Sequence, residues 1–518
     1  MRNTILHGPG IAVAETTKGK IRGYVTNGLY EFKGVPYADA ERFHAPHEIE
    51  PWEGEKECVG YGYVCEQIRN IVTPDELNEP HRYWPTSDHC LNLNVWTPSL
   101  EGKRPVMVWF HGGGFLGGSA VEIVAYEGEN MAKYGDAVVI TVNHRLNVLG
   151  YMDFSEFGEE YHNSGNNGTS DTIMALKWVH DNIANFGGDP ENVTVFGQSG
   201  GGGKVIALLQ SPAADGLFHK AIIMSGTMGV MNECSGSSRE FVEAILKETG
   251  VSTVKELETV PWYLLGSAWM KLRPAFMARG VNTGGCPFLN GHYCGDPLLH
   301  GFRPETAKIP VVVGTTFAEG NTKIPQPFDR RLLLGEEGLA YVKEQLGENA
   351  EEAIALFREV HPDRPVIDLL VKDVNFRANA KKFAALRSAL NDCTWTYLFD
   401  QDGPINGGCP AAHSSDISYV FRNTCMVPGV CMENTEELEE MIFSSVMAFA
   451  RSGDPNCPQI PLWPASRPGE ENTMFFSKNT AVHNNFDDEL LPAASKALKS
   501  ILERNRRTEQ ESILRPKK

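Results

Sequence analysis

One short stretch restricts the fold of this chain more than any other, the glycine-rich segment at Val193–Gly203. Its β-branched run followed by Gly-x-Ser-x-Gly is typical of a nucleophile elbow, a strand that turns sharply into a helix with a serine at the apex. The positions two before and two after the serine tolerate almost no side chain in such a turn, and Gly197 and Gly201 meet that demand. A phosphate-binding loop of the form Gly-x4-Gly-Lys-Ser/Thr is excluded by Gln198 and Val205. Because a pentapeptide also recurs by chance, other stretches must decide between this elbow and an ordinary glycine turn.

Composition bounds the number of domains and the kinds of partner. The chain has 518 residues, of which 42% are hydrophobic, and no stretch looks like a linker or an internal repeat, so we predict a single domain over residues 1–518. Its 47 Lys and Arg residues against 66 Asp and Glu residues give a formal charge of −19. Such an acidic surface repels phosphate backbones and anionic lipids, so neither nucleic acid nor a membrane surface is an expected partner.

The N-terminus and the cysteines bear on the cellular compartment. Met1–Pro9 holds too short an apolar run for a signal peptide, and no later apolar run reaches the roughly 18 residues that span a membrane. We therefore predict a cytoplasmic protein. The 11 cysteines are an odd number and include no Cys-x-x-Cys, so the sequence suggests neither a full disulfide framework nor a zinc ribbon. No metal or other cofactor is expected.

Strand and helix patterns alternate along the chain, which favours an α/β fold with a large, mostly parallel twisted sheet and helices on both faces. Most predicted strands are apolar runs of the kind buried on both faces of a parallel sheet. The predicted strands are 91–96, 105–110, 137–142, 193–196, 220–225, 309–313 and 394–399, and the predicted helices are 171–186, 204–210, 339–360 and one from 489 onward. A helical insertion is predicted at about 239–280, with a capping box at Thr253–Glu256, and a frayed basic tail at about 506–518.

Three residues match the order of a catalytic triad. A serine hydroxyl becomes a nucleophile only beside a base, and that base needs a carboxylate to hold it; in this type of sheet the order is serine, acid, histidine. With Ser199 as the nucleophile, Glu319 fits as the acid because it follows a predicted strand. On spacing alone Asp296 or Asp400 could also serve. His413 lies in a loop after the later strands and is the predicted base.

A second glycine motif supplies hydrogen-bond donors for a developing oxyanion. Backbone amides reach such an oxygen only where no side chain blocks the approach, and each is worth about a hundredfold in rate. The loop at His111–Phe115 directly follows the predicted strand at 105–110 and matches the form found in lipases and esterases. Gly200, the residue after the nucleophile, supplies a further amide. Two glycine motifs that each follow a buried strand make coincidence much less probable.

Taken together, these motifs resemble the type-B carboxylesterase and cholinesterase family of the α/β-hydrolase fold. Further segments that look like the family's pattern occur at 32–38, 90–98, 182–194, 452–456 and 462–464, so the resemblance runs through almost the whole chain. It implies a serine carboxylesterase that hydrolyses carboxylic esters through an acyl-enzyme intermediate. The implied residues are Ser199, Glu319 and His413 as the triad, Gly113, Gly114 and Gly200 as oxyanion donors, and His111 and Ser225 as residues that support them.

Set against this resemblance, several positions carry expectations of their own. Gly200 stands where the family usually has alanine, which we expect to loosen the acyl side of the pocket. Asp88 stands where the family has glutamate and could pair with Arg145. Cys65 and Cys90 match a family disulfide, which would form in an oxidising compartment, whereas in a cytoplasm they would be two reduced thiols.

The pocket walls and the substrate are less constrained. The Trp-, Leu- and Met-rich segment at 262–277 is predicted to line the pocket together with Phe115 and Phe317, and Trp84 is expected to be a core or gorge-wall aromatic. We expect a small-molecule ester as substrate, with the identity of the ester and the oligomeric state left open. A hydrolase of one specialised ester, lactone, carbamate or amide is an alternative, and a non-catalytic binding protein on the same scaffold is a weaker one.

Overall fold

The computed structural model describes residues 4–67, 76, 79–320, 330–405 and 408–499. The frayed basic tail predicted at about 506–518 lies outside these ranges. None of the helices in these ranges is both long enough and apolar enough to cross a membrane.

A 12-stranded sheet, the central sheet, and a separate three-stranded sheet are formed by the described residues. The strands are β1 (Ile5–Leu6), β2 (Val13–Thr16), β3 (Gly19–Arg22), β4 (Tyr24–Thr26), β5 (Leu29–Pro36), β6 (Glu55–Glu57), β7 (Asn92–Thr97), β8 (Arg104–Phe110), β9 (Val138–Val142), β10 (Gly188–Gln198), β11 (Lys220–Met224), β12 (Val311–Thr316), β13 (Thr394–Phe399), β14 (Asn472–Phe476) and β15 (Ala481–Asn484). The central sheet has the order β1-β4-β5-β7-β9-β8-β10-β11-β12-β13-β14-β15, and β2, β3 and β6 form the small sheet. Neighbouring strands from β9 to β14 are parallel and the outer pairs are antiparallel. The predicted large, mostly parallel sheet is therefore confirmed.

Helices surround the central sheet, and several of them fall where the sequence predicts them. The helices are α1 (Glu129–Gly135), α2 (Asn147–Gly150), α3 (Asn167–Asn182), α4 (Gly200–Leu209), α5 (Arg239–Thr249), α6 (Val254–Leu257), α7 (Trp262–Met277), α8 (Pro297–His300), α9 (Glu336–Leu346), α10 (Ala350–Val360), α11 (Phe376–Ser388), α12 (Ile417–Phe421) and α13 (Thr435–Ser452), and residues 490–499 are also helical. The predicted insertion at 239–280 contains α5, α6 and α7. The Thr253 hydroxyl accepts the backbone N–H of Glu256 at 3.2 Å, as the capping box predicts. The helix predicted at 339–360 is two helices, because the chain turns between them at Gly347, whose φ is 62°.

Two hydrophobic cores cover the two faces of the central sheet, as the alternation of side chains along a strand requires. Val106 and Val108 of β8 belong to one core, which also holds side chains of α3, α4 and α5. Met107 and Trp109 belong to the other, with side chains of α1, α10 and α13. Apart from Arg104, every residue of β8 is buried, which explains why this strand appears in the sequence as a continuous apolar run.

The cysteines pair differently from the pattern that the resemblance implies. Cys65 and Cys90 are buried free thiols, so the possible disulfide between them is not formed. A hydrogen bond with Cys65 and burial raise the pKa of the Cys90 thiol well above its usual range, which keeps it in the unreactive thiol form. A disulfide joins Cys234 to Cys286 instead, 52 residues apart. Cysteine spacing held no signal for this pair, because connectivity cannot be deduced from spacing alone.

The suggested ion pair between Asp88 and Arg145 is wrong. Asp88 forms an ion pair with Arg42 instead, with 2.6 Å between Nη2 of Arg42 and Oδ2 of Asp88. Arg145 donates to both carboxylate oxygens of Asp171 in α3, over 2.9 Å and 2.7 Å. Both side chains of this pair are almost fully buried, and a buried guanidinium needs a carboxylate in full contact, which Asp88 does not offer from beside Arg42.

Candidate active site

The elbow has the geometry that its glycines predict. Ser199 sits between β10 and α4 with φ 56° and ψ −124°, a conformation that residues other than glycine rarely adopt. Its N–H extends the sheet ladder by donating to the carbonyl oxygen of Met224 at 2.8 Å. A Cβ atom on Gly197 would lie 2.4 Å from the carbonyl carbon of Gly201, and one on Gly201 would lie 1.9 Å from the carbonyl oxygen of Phe110. Any side chain at either position would therefore force the turn apart.

The carboxyl ends of neighbouring parallel strands bring the other predicted residues to the same edge of the sheet. Ser225 directly follows β11, Glu319 lies in the loop after β12, and His413 lies in the loop after β13. The amide of Ala318 donates to the carbonyl oxygen of Ala411 at 2.9 Å, and this bond joins the two loops. The strand order thus places acid and histidine side by side although they are distant in sequence.

Glu319 is held by three hydrogen-bond donors. Its Oε2 atom accepts from Nδ1 of His413. Its Oε1 atom accepts from the Ser225 hydroxyl at 2.6 Å and from the backbone N–H of Thr316 at 2.7 Å. A buried carboxylate on Nδ1 selects the imidazole tautomer that carries its proton there, so Nε2 has the lone pair of a base.

The two competing acids have other roles. Asp296 caps α8, where its carboxylate accepts the backbone N–H of Leu298 at 2.7 Å. Asp400 pairs with Arg364 at 2.6 Å. Of the three acids that the sequence left open, Glu319 is the one that contacts His413.

The charges around Glu319 and His413 favour a proton on His413. Burial alone would lower the pKa of His413, but the charge of Glu319 and the hydrogen bond to it outweigh burial and raise this pKa above 6.5. Burial, reinforced by the charge of Glu319, also raises the pKa of Asp373 to about 6 and that of Asp416 to about 6. An imidazolium is therefore stabilised at His413, whose Nε2 contacts Gln198, the residue before Ser199, and makes no hydrogen bond to Ser199 among the described residues.

Gln198 is a contact of the histidine that the sequence did not single out. Its side-chain Nε2 lies 3.1 Å from Nε2 of His413, and the residue is 2% exposed. With the imidazole proton on Nδ1, the Gln198 amide donates to the Nε2 lone pair. The only sequence signal for this contact was the position of Gln198, directly before the elbow serine.

The loop at 111–115, which we call the oxyanion loop after its predicted role, depends on glycine for its shape. Gly113 and Gly114 have φ values of 82° and 64°, in the left-handed region that favours glycine. The N–H of Gly117 closes the loop by donating to the carbonyl oxygen of Gly113 at 3.1 Å. Gly113 is exposed and Ser199 is half-buried, so the loop and the serine both open to solvent.

Comparison with known proteins identifies the family to which this geometry belongs. A model of the carboxylesterase family matches residues 11–491. The chain belongs to the carboxylesterase family. It is a carboxylic ester hydrolase with the α/β-hydrolase fold, as the sequence motifs predict.

Named relatives of this carboxylesterase cover nearly its whole length. The para-nitrobenzyl esterase of Bacillus subtilis is 32% identical over 500 residues, which span 92% of this chain and 97% of that protein. A solved structure of a Geobacillus stearothermophilus carboxylesterase is 31% identical with a TM-score of 0.73, and covers 93% of this chain and 99% of its own. An esterase from the anaerobic Clostridium hathewayi, described as able to hydrolyse aliphatic aromatic polyesters, is 44% identical with a TM-score of 0.93, over 96% of this chain and 100% of its own.

Gly200 does not loosen the pocket of this carboxylesterase, contrary to expectation. A Cβ atom on Gly200 would lie 2.1 Å from the carbonyl oxygen of Gly114 and 2.3 Å from its Cα atom. The backbone of the oxyanion loop fills the space where an alanine methyl would stand. The loop can therefore approach α4 this closely only because residue 200 is glycine.

Gly200→Ala is expected to lower kcat about 100-fold, because the methyl group would push the oxyanion loop away from the serine and misplace a donor. The measurement is steady-state hydrolysis of a short-chain para-nitrophenyl ester, with KM expected to change little. Gly60→Ala is the matched control, since a Cβ atom there meets nothing within 4 Å. Full activity in Gly200→Ala would show that the loop moves freely and that its position beside Gly114 is not needed.

Two of the predicted pocket walls lie inside the protein. Phe317 has no exposed surface and packs against Phe357 and His361, with the Arg364 guanidinium 4.0 Å from its ring, so its assignment as a wall is wrong. Phe115 is 2% exposed, and its ring lies 5.0 Å from that of Tyr151. Phe115 is therefore part of the packing beneath the surface and gives a pocket almost no surface.

The other two predicted pocket walls, Trp84 and the segment at 262–277, stay predictions. Trp84 is half-buried and meets the Tyr61 ring edge-on at 5.4 Å, in keeping with a core or gorge-wall aromatic. Helix α7 reaches towards the site, since a Cβ atom on Gly285 would lie 2.9 Å from Leu116 and 3.1 Å from Arg273 of α7. That neighbour, Leu116, directly follows the oxyanion loop.

Proposed function

We propose that Ser199, His413 and Glu319 form the catalytic triad of this carboxylesterase, with the backbone amides of Gly113, Gly114 and Gly200 as oxyanion donors. The observation that carries the proposal is the hydrogen-bonded pair of Glu319 and His413 at the strand edge that also holds the elbow serine. Ser225 would act through Glu319, to which its hydroxyl donates at 2.6 Å.

The proposed reaction has two halves. Nε2 of His413 gives up its bond to the Gln198 amide and takes the hydroxyl proton of Ser199 while the serine oxygen bonds to the ester carbonyl carbon, and the carbonyl oxygen becomes an oxyanion. As the carbon–oxygen bond to the alcohol breaks, His413 passes its proton to the leaving oxygen, and an acyl-enzyme is left. His413 then takes a proton from water, whose oxygen attacks the acyl carbon, and Ser199 recovers its proton as the acid leaves.

A phosphonate probe tests the assignment of the nucleophile. A fluorophosphonate is expected to label the folded protein once, on the peptide that contains Ser199, because the displacement of fluoride from phosphorus by serine requires the same activated hydroxyl. Labelling is read by mass spectrometry of the digested protein. Labelling of a different serine, or none at all, would contradict the triad and revive the non-catalytic alternative.

The pH profile is expected to show an acid limb centred above pH 6.5. The pKa of His413 is raised by Glu319, and a protonated imidazole cannot accept the serine proton, so kcat/KM should fall as the pH drops through this raised pKa. The measurement is kcat/KM between about pH 4.5 and 9 with a non-ionising ester. A limb centred below 6.5 would mean that Glu319 does not raise the pKa of the catalytic base.

We also propose that aliphatic aromatic polyesters are among the substrates. The support is the esterase from Clostridium hathewayi, which is described as hydrolysing them and is 44% identical over 96% of this chain. The test incubates the purified protein with a film of such a polyester and measures released monomers by chromatography, with heat-inactivated protein as control. Hydrolysis of small soluble esters without release from the film would overturn the proposal.

A substrate panel separates a general esterase from the specialised alternatives. Esters in which the acyl and alcohol groups vary independently are tested beside a lactone, a carbamate and an amide. We expect turnover across the esters, since acyl-transfer chemistry is shared and specificity lies in the pocket walls. Activity confined to one of the other three classes would favour a specialised hydrolase.

The single domain and the cytoplasmic location stay predictions. The single domain is supported by the central sheet, whose strands come from residues 5–6 at one end of the chain and 481–484 at the other. The location is in tension with the disulfide between Cys234 and Cys286, since disulfides persist mainly in oxidising compartments. Fractionation of the source cells with an antibody to the protein tests the location.

A further inference from the structure

A buried lysine lies behind the oxyanion loop. Lys204 belongs to α4, is 1% exposed and directs Nζ to the carbonyl oxygen of His111 at 2.8 Å. His111 is the first residue of the oxyanion loop, so the ammonium group touches the loop from the side opposite to the solvent. Lys204 makes no ion pair with a carboxylate in the part of the chain that the structure describes. Its one hydrogen bond therefore holds the loop.

Two neutral histidines complete this cluster. His111 and His144 follow the adjacent parallel strands β8 and β9, and their ring centroids are 4.8 Å apart. Burial and the charge of Lys204 lower the pKa of both rings well below the usual range. Within the described ranges, Nε2 of His111 and both ring nitrogens of His144 have no hydrogen-bond partner. Lys204 is thus the member of the cluster that carries a positive charge below about pH 7.

The charge of Lys204 is only weakly compensated. Burial lowers the pKa of Lys204 to about 7, and the acids that oppose this shift are Glu122 and Cys65. A fold gains no stability from enclosing such a charge without a carboxylate in contact, because a packed apolar residue of similar size would serve better. A lysine kept in contact with the loop beside Ser199, where an apolar residue would pack better, therefore points to the reaction.

We propose that Lys204 is a positioning residue for the oxyanion hole, holding the loop by its bond to His111 and adding positive potential where the ester oxygen becomes negative. A donor on the carbonyl of His111 fixes the peptide between His111 and Gly112, and with it the point from which the loop continues to Gly113 and Gly114. A charge enclosed in protein also acts over a longer distance than one in water. This inference rests on the proposed oxyanion donors Gly113, Gly114 and Gly200.

The test compares two ketones that are alike except for three fluorine atoms, of which only the fluorinated one forms an oxyanion in the site. A trifluoromethyl ketone adds the Ser199 oxygen to its carbonyl carbon, passes the serine proton to His413 and leaves an oxyanion in the hole, whereas the matching methyl ketone binds without this addition. Lys204→Met removes the charge and keeps the length of the side chain. The matched control is Lys220→Met. Lys220 is also buried and donates a hydrogen bond to Asn192, but it is the first residue of β11 and so lies at the end of the strand opposite to Ser225 and the proposed site.

We expect Lys204→Met to bind the trifluoromethyl ketone about 10- to 100-fold more weakly and to lose a similar factor in kcat, with the affinity for the methyl ketone and KM within about threefold. Lys220→Met should leave all four quantities within about threefold. The wild-type kcat should also fall as the pH rises through about 7 and Lys204 loses its proton, and this fall should be absent from Lys204→Met. Thermal unfolding of both variants shows whether the fold is kept.

Two results would overturn the inference. An unchanged ratio of the two ketone affinities in Lys204→Met, with or without a loss of kcat, would make the lysine a packing residue. A fall in kcat through about pH 7 that persists in Lys204→Met would assign that fall to another group and contradict a role for the charge of the lysine. Fluorophosphonate labelling of Ser199 is measured in the same variant, so failure of the lysine proposal is distinguished from failure of the triad.

Discussion

Ser199→Ala is expected to lower kcat/KM for short-chain aryl esters by about 10⁴-fold or more. The serine oxygen forms the covalent bond of the acyl-enzyme, and neither His413 nor the oxyanion loop can replace that bond. The residual rate would come from binding and from the amides of the loop, which polarise the carbonyl for attack by water. We expect KM to change less than kcat, since the substitution removes only one oxygen atom.

The control for this variant must exclude both misfolding and contamination. Alanine at a φ of 56° suffers the same backbone strain as serine, so thermal unfolding should lie close to that of the wild type. Titration with a fluorophosphonate counts any wild-type enzyme in the preparation. Hydrolysis near the wild-type rate in a folded, unlabelled preparation would rule out Ser199 as the nucleophile.

The parts of the site that local sequence encodes were predictable. Gly197 and Gly201 are adjacent to the serine that they accommodate, so the pentapeptide itself carries the steric argument for the elbow. Glu319 and His413 were found because strand ends gather at one edge of a parallel sheet, a rule that needs only the order of the strands. Each of these inferences uses backbone geometry alone.

What the sequence could not supply depends on side chains from distant segments meeting in the interior. Asp88 and Asp171 are equally plausible partners for Arg145 until the position of Arg42 is known. Phe317 is an aromatic residue of the kind that lines pockets, yet the loop after β12 directs its side chain into the core. Lys204 could be read from the sequence only as part of a failed phosphate-loop pattern. Its burial and its bond to His111 follow from the packing of α4 against β8.

Glu319 and protonated Lys204, two buried groups behind the proposed site, are opposite in charge. The proposed reaction creates a positive charge on His413 and a negative charge on the ester oxygen, and both disappear when the reaction step is complete. Glu319 lies behind the first and Lys204 behind the loop that receives the second. Fixed charges arranged in this way favour the transition state over the ground state, since neither needs to reorganise during the reaction.

Glu319→Gln is expected to lower kcat about 10⁴-fold while the fold is preserved. The amide would keep the acceptor for Ser225 at one atom and present an N–H group to Nδ1 of His413 at the other. The imidazole would then carry its proton on Nε2, where it cannot accept the serine proton. Loss of the negative charge would also lower the pKa of His413, so the remaining activity should show an acid limb at lower pH than the wild type.

Asp416→Asn is the matched control for Glu319→Gln. Asp416 is buried in the same cluster and accepts the Tyr397 hydroxyl at 2.6 Å, but it has no hydrogen bond to His413 in the described residues. Its other carboxylate oxygen is without a partner there, so an amide nitrogen fits without displacing a donor. If the orientation of the imidazole is what matters, Asp416→Asn should lose less than about tenfold in kcat. Equal losses in the two variants would mean that Glu319 acts through its charge alone, since the tautomer of His413 is disturbed in only one of them.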